Sequence, residues 1–397
     1  MKVCISVGGR FHAFNLAYQL HKHKHLERLI TSYPRFKVAK FGIPGEKVKS
    51  FLFKEIITRA HSYLPPNVQW DGLDFLANDW FDRQASRHLP ECDICTAWSG
   101  FGLQTIRRAK ANGAITIIER GSSHIEYQRD ILSEEYAKFG FGVDPIDPDV
   151  VEKELQEYEE ADYIAIPSEF VKRTFLEKAV PGEKLIHTPY GVDLKEFRPL
   201  PTEDGVFRII NVGAQSIRKG TVYLLKAFTE LDLPDAELLL VGPVEDEIKS
   251  VFGRYKGLFR HIDSVPQSQL VDYYARASVF SISSLEEGMA MVQAQAMACG
   301  LPVVCTTNTG GADIVRDGVD GFILPIRDIE ALKEKLIYLY ENRDACREMG
   351  ENALRRVRGG FTWDDYGRRI IQTYKENLCG NDHPRSIPFS QEYIGGR

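Results

Sequence analysis

Residues 281–306, SISSLEEGMAMVQAQAMACGLPVVCT, constrain the fold of this chain more than any other stretch. Residues 279–283 are apolar and short enough for a buried strand, and residues 289–299, rich in Ala and Met, predict a helix. Gly300-Leu301-Pro302 stops that helix ahead of a second apolar strand at 303–306. Strand, loop, helix and strand in this order are the repeating unit of a parallel α/β sheet. Such a sheet receives anionic ligands at the loop that leaves a strand's carboxyl end and enters a helix. Here that loop carries two carboxylates, Glu286 and Glu287, beside Gly288. The helix dipole favours acids there and explains part of the placement. A ligand bearing hydroxyls, such as a sugar, explains the rest.

Three more loops of this kind are legible. The strand at 207–212 runs into Gly213-Ala214-Gln215-Ser216-Ile217-Arg218-Lys219-Gly220 and then a helix over 223–231. Glycines bracketing adjacent Arg and Lys at such a turn suit a diphosphate, which backbone N–H groups face and two cations neutralise. The chain itself opens with an apolar strand over 2–7, Gly8-Gly9-Arg10 and a helix over 11–21. That spacing is not GxGxxG, so the dinucleotide fingerprint is absent, while two glycines still let a substrate approach the backbone. The strand over 114–119 leaves Glu119-Arg120-Gly121-Ser122-Ser123-His124 at its carboxyl end. His12 reads either as a cleft residue or as a helix-start histidine with local hydrogen bonds.

The run Glu287-Gly288, six further residues, then Gln295-Ala296-Met297-Ala298-Cys299-Gly300-Leu301-Pro302 closely resembles the signature of family-4 glycosyltransferases. The resemblance implies an α/β GT-B fold, two Rossmann-like domains facing across a cleft, and sugar transfer with retained anomeric configuration. The family signature has a second Glu where this chain has Gln295. By resemblance, Glu287 lies near the donor sugar, with Gly288, Met289 and Ala290 among the donor-binding positions beside it. Gln295 stands where ribose hydroxyls are held, keeping an acceptor oxygen and adding donors while losing the charge. Gly213, Arg218 and Lys219 match the diphosphate turn, with Ala214 where the family often has Arg. Gly8 and Gly9 match the N-terminal loop facing donor sugar and diphosphate, Val265 falls where the backbone meets the base, and His124 corresponds to the histidine that contacts the donor sugar.

Together these imply a retaining hexosyltransferase. It would move a sugar from a nucleoside diphosphate sugar to a hydroxyl acceptor, a glycan or lipid-linked glycan in surface polysaccharide or glycoconjugate synthesis. Arg218 and Lys219 would stabilise the leaving diphosphate, Glu287 orient the sugar and His124 position the donor, with no metal or other cofactor. Asp147-Pro148-Asp149 mimics a metal-holding DxD, but it runs directly into an acidic helix, so Asp149 reads as the N-cap with Pro148 in the turn. Gln295 and Ala214 keep two other readings open: a non-catalytic nucleotide-sugar-binding protein, and a GT-B-like epimerase or phosphorylase.

The polar, Pro-bearing stretch 200–205 and the resemblance divide the 397 residues. A first, acceptor-binding domain is expected over 1–195 and a donor-binding one over 200–362, with a final helix over 363–378 crossing back onto the first and a tail over 381–397. No apolar run approaches the roughly 18 residues a membrane span needs, and the opening strand is too short for a secretory h-region. Seven irregularly spaced cysteines point to a reducing cytoplasm, and Cys92 and Cys95 read as strand residues on opposite faces. The formal charge of −6 hides a basic stretch over 22–59 in which Lys and Arg interleave with Tyr33, Phe36, Phe41, Phe51 and Phe53. This suits an anionic membrane, at the inner face of which a lipid-linked acceptor would be met; a solvated face over core aromatics gives the same pattern. The domain as a whole is not basic enough for nucleic acid. After an Asn/Pro/Asp-rich section a helix is expected over 80–89.

Overall fold

The first sheet grows from β1 (Val3–Val7), whose five residues are all buried. A strand covered on both faces needs no polar alternation, which is why this one reads as a continuous apolar run. In the computed structural model, which describes residues 1–378 except 66, 67, 69, 71, 143, 202 and 203, β1 leads into α1 (Ala13–Lys22) and β2 (Leu26–Thr31). Then come α2 (Arg35–Ala39), β3 (Val48–Ser50), α3 (Phe53–Ser62), α4 (Leu73–Arg87), β4 (Ile94–Trp98), α5 (Leu103–Ala111) and β5 (Ile115–Glu119). The lobe continues through α6 (Ile125–Lys138), α7 (Pro148–Glu160), β6 (Tyr163–Ile166), α8 (Glu169–Glu177) and β7 (Leu185–His187). Its seven strands lie in the order β3-β2-β1-β4-β5-β6-β7, each pair parallel. Chain direction across the sheet reverses between β1 and β4, so the loops leaving those strands part and leave a crevice.

The second sheet repeats this plan. It is built from β8 (Phe207–Val212), α9 (Thr221–Leu231), β9 (Ala236–Val241), α10 (Lys249–Arg254), β10 (Arg260–Ile262), α11 (Leu270–Ala275), β11 (Val279–Ile282), α12 (Met291–Ala298), β12 (Val303–Thr306) and β13 (Gly321–Leu324). Helices α13 (Ile329–Glu341) and α14 (Arg343–Arg358) follow. The order is β10-β9-β8-β11-β12-β13, again parallel, with the switch point between β8 and β11.

The chain then returns to the first lobe through α15 (Trp363–Thr373). Thr362 and Asp365 form a reciprocal capping box at its start, which fixes where the helix begins. Asp364 receives Gln19 Nε2 at 2.9 Å and Lys22 Nζ at 2.8 Å from α1, while Tyr366 and Tyr374 are buried in the first lobe. Beside it the outgoing strand of chain passes close by: Val192 N donates to Phe361 O at 2.8 Å. Both crossings between lobes therefore touch at one place, the geometry of a hinge. The expected tail over 381–397 lies outside the described residues.

Three expectations change. Asp147, not Asp149, caps α7, accepting from Asp149 N at 2.9 Å, with Pro148 as the first helical residue, where its missing N–H costs nothing. Helix α4 starts at Leu73, well before residue 80. Cys92 sits ahead of β4 rather than in it. Among the described residues no helix is long and apolar enough to cross a membrane, and no group of three His, Cys, Asp or Glu is arranged to hold a metal ion.

Candidate functional site

The two loops at the second switch point are stitched into one surface. Ser283 Oγ donates to Gly220 O at 2.8 Å, and Leu285 N donates to Arg218 O at 2.9 Å. Gly220 has φ +62, and a β-carbon there would run into the Ser283 carbonyl, so glycine is required on two counts. Gly213, at the other end of the turn, directly follows β8. The stitching brings Arg218, Lys219, Glu286 and Glu287 together.

Arg218 Nη1 lies 3.2 Å from Glu287 Oε1 and 3.3 Å from Glu286 Oε2, and Lys219 Nζ pairs directly with Glu287 Oε1. Burial works against the Arg218 charge, but Glu287 and Glu286 outweigh it and raise its pKa. Glu286 is fully buried; burial alone would raise its pKa, yet Arg218 and hydrogen bonds from Ser123 bring the net below the ordinary value, so it is held as the anion. The site is thus two cations against two carboxylates, the balance an incoming diphosphate would disturb.

Glu286 also joins the lobes. It accepts from Ser123 N and Ser123 Oγ, each at 2.8 Å, and from Gln128 Nε2 at 3.1 Å. Next to it Gly288 lies so close to the first lobe that an added β-carbon would strike the Gly121 carbonyl, while Ser168 Oγ donates to Gly288 O at 2.6 Å. Met289 Sδ accepts from Tyr190 N at 3.3 Å, and Ala290 N donates to Thr309 O at 3.1 Å. Further along the same side, His187 Nε2 sits 2.8 Å from Asp313 and Nδ1 3.1 Å from Glu169. Burial would lower the His187 pKa, but the two acids lift it to about 9, so the imidazole is charged. Arg327 Nε likewise reaches the buried Glu135 of α6 at 2.7 Å. The lobes are closed along this side.

On the hinge side they stand apart around a cleft of about 1180 Å³. Arg10, Phe11 and Lys40 line it from the first lobe, and Met291, Gln295 and Gln267 from the second. Gln295 Oε1 accepts from the buried Tyr274 hydroxyl at 3.2 Å, so the donor half of its amide is what it offers the cleft. Val265 packs against the core two residues before Gln267. Gly8 and Gly9 leave β1 at the first switch point, with the Phe101 ring against Gly8. Phe11 follows with φ +39, a strained conformation for a bulky residue, and stands exposed at the cleft.

For His124 the geometry shows a local role in place of an open one. It is buried in the first lobe with its ring between Tyr158 and Phe175, and its Nδ1 caps α6 by accepting from Glu126 N. Desolvation, aided by Arg120 and Lys178, lowers its pKa to about 4, so it is neutral. The loop it was meant to serve is held by Arg120, which donates to Ser123 O at 2.9 Å and pairs with Glu154 at 2.7 Å. The histidine that reaches the sheet's carboxyl edge is His12. Its Nε2 is 3.3 Å from Glu119 Oε2, and its ring packs on Tyr190 and Trp98. Glu119 Oε1, Trp98 Nε1 and the hydroxyls of Tyr190 and Tyr366 are buried there without protein partners. The signal for this cluster was positional: Glu119 ends β5, and His12 lies in the turn between β1 and α1.

Residues 193–356 match the family model for glycosyl transferases group 1. The chain is 25% identical over 243 residues, 53% of its length and 61% of the other's, to a GDP-mannose-dependent monoacylated alpha-(1-6)-phosphatidylinositol monomannoside mannosyltransferase of Corynebacterium glutamicum. It is 28% identical to a phosphatidyl-myo-inositol mannosyltransferase of Mycolicibacterium smegmatis over 49% of this chain and 52% of that one. The chain thus spans between half and two thirds of the length of these curated relatives. Among solved structures, sucrose-phosphate synthase of Thermosynechococcus elongatus superposes with TM-score 0.71 at 17% identity, covering 95% of this chain and 99% of that one. Anabaena HepE in complex with UDP superposes with TM-score 0.70 at 16% identity, covering 94% and 100%. The two facing Rossmann-like lobes are the GT-B fold.

Proposed function

We propose that this chain, which carries a group 1 glycosyl transferase domain over residues 193–356, moves a hexose from a nucleoside diphosphate sugar to a hydroxyl acceptor with retention at the anomeric carbon. Residues 200–362 take the donor and residues 1–195 the acceptor. The observation that carries this reading is the meeting of Arg218, Lys219 and Glu287 at the β8/β11 switch point, at the root of the helix whose Met291 and Gln295 line the cleft. An arriving diphosphate draws Lys219 and Arg218 from Glu287, which frees that carboxylate for sugar hydroxyls. As the bond from the anomeric carbon to phosphate breaks, the two cations neutralise the departing charge, and no metal is called on. The acceptor oxygen bonds the same face of that carbon and its proton passes to the leaving phosphate.

The activities of the relatives make GDP-mannose and a phosphatidylinositol-type lipid acceptor the first pair to test, with UDP-sugars next because HepE holds UDP. A lipid-linked acceptor sets the enzyme at the cytoplasmic face of a membrane, met through residues 22–59. The purified full chain is incubated with GDP-, UDP- and ADP-sugars and product anomers are read by NMR. A cognate donor at 100 times its dissociation constant raises stability by about 2.7 kcal/mol, which a thermal-shift panel detects. Undiminished turnover by both Lys219→Ala and Glu287→Ala would sink the assignment. A second reading is favoured by the mutual neutralisation of the site and by Ala214 and Gln295: a non-catalytic nucleotide-sugar-binding protein, recognised by saturable donor binding without transfer or hydrolysis. Phosphate-dependent cleavage or epimer formation would instead reveal a phosphorylase or epimerase.

A further inference from the structure

Helix α3 is amphipathic in the wrong sense for a soluble protein. At 100° per residue, Phe53, Ile56, Ala60, Tyr63 and Leu64 share one narrow arc of the helix and its immediate continuation. That arc is largely open to solvent: Ile56 is 63% exposed and Tyr63 89%, while Phe53, its ring 4.8 Å from that of Trp80, is 50% exposed, and no residue of α3 is buried. The polar arc faces the protein. Lys54 lies over the Phe101 ring at 5.2 Å and pairs with Glu55 at 3.5 Å, while Glu55 accepts from Ser32 Oγ at 2.8 Å. The helix is therefore anchored by its charges and presents its apolar face outward.

The patch continues beyond α3. Trp70 N donates to His61 Nε2 at 2.7 Å, which ties Trp70 back to the helix, and Trp70 and Val68 are 58% and 57% exposed. Contiguous apolar surface of this kind marks an interaction site. Its flanks are basic. Arg59 is exposed at the edge of the arc, and Arg35 and Lys40, with the exposed Phe36 between them, lie on or just after α2, which begins three residues after Ser32. Outward aromatics ringed by Arg and Lys are the chemistry of a helix lying in the headgroup layer of an anionic bilayer.

We propose that α3, together with Tyr63, Leu64, Val68 and Trp70, is a membrane-insertion element that seats the first lobe on an anionic lipid surface. This sharpens the membrane contact of the reading above and extends it past residue 59. It also removes Tyr33, Phe41 and Phe51 from that contact, since those rings pack against the protein. The element lies beside the cleft: Lys54 touches Phe101, whose ring is 6.1 Å from that of the cleft-lining Phe11, and Lys40 of the basic flank lines the cleft itself. Seated this way, the cleft mouth lies at headgroup level, where a lipid-linked hydroxyl is presented.

The test is co-sedimentation of the full chain, without any sugar donor, with equimolar phosphatidylcholine/phosphatidylglycerol vesicles and with phosphatidylcholine alone. The expected result is binding to the anionic vesicles, weakened at least about tenfold by Ile56→Asp with Tyr63→Asp, and weakened by salt. Thermal melting and donor binding of that variant should match wild type, which separates this test from any failure of the catalytic reading. The proposal is overturned if wild type does not partition onto anionic vesicles. It is equally overturned if the double variant binds as wild type, or if it dissolves a concentration-dependent dimer while leaving vesicle binding intact.

Discussion

Lys219 and Glu287 form the pair on which the chemistry turns, and the prediction at that scale is kinetic. Lys219→Ala should lower kcat about 10²- to 10³-fold, the usual cost of losing one charge-stabilising group, while shifting stability by no more than about 1 kcal/mol because the pair is partly exposed. Steady-state kinetics beside a urea melt separates the two; equal losses in both would point to a structural role. Gly288 is a different case, because its neighbour belongs to the other lobe. Gly288→Ala should push the lobes apart rather than unfold either one, giving a larger radius of gyration by small-angle scattering with little change in the melting midpoint. Among individual residues the loops bearing Arg218, Lys219, Glu286 and Glu287 meet in the structure, while His124 is packed away among aromatic rings. A histidine's place in a motif does not say which way its ring turns, and here Tyr158 and Phe175 draw it into the core.

Helices and strands show the same division. Strands β1, β5, β8, β11 and β12 are apolar runs between glycine or polar loops, so their positions were legible to within a residue or two. Strands β2, β3, β7 and β13 were not, because runs such as Leu-Ile-His at β7 carry no period and become strands only by pairing with a neighbour already in the sheet. Helix α5 shows a second hidden dependence. Its start is capped from α7 by Glu157, which accepts from Gly100 N at 2.7 Å, Gly102 N at 2.8 Å and Leu103 N at 3.1 Å. Burial, with the neighbouring Glu154, pushes the Glu157 pKa up to about 8. Glu157→Ala leaves three buried donors bare and should cost about 2–3 kcal/mol, with faster amide exchange confined to the start of α5. Glu157→Gln, which keeps an acceptor oxygen and is neutral as the protonated acid is, should recover most of that.

For the molecule as a whole the central variable is closure. His187 of the first lobe is held between its own Glu169 and Asp313 of the second. Its pKa is raised from 6.5 to about 9, so the stabilisation is fully present below about 6.5 and fades as pH rises through about 9. Glu169, lowered to about 2 chiefly by His187, loses its share only as pH falls toward that value. The melting midpoint of wild type should thus decline between about pH 7 and 10, and that decline should flatten in His187→Gln. An unchanged alkaline slope in the variant would remove His187 from the latch. Taken by itself, the sequence determined that this chain forms parallel α/β units and where their strand ends carry cations and acids. Those features follow from local periodicity and loop chemistry. Only the tertiary structure decided that Glu286 crosses to Ser123, that His12 rather than His124 meets the sheet edge, and that α3 turns its apolar face outward. Each depends on which distant surface a side chain meets, and a linear pattern holds no record of that.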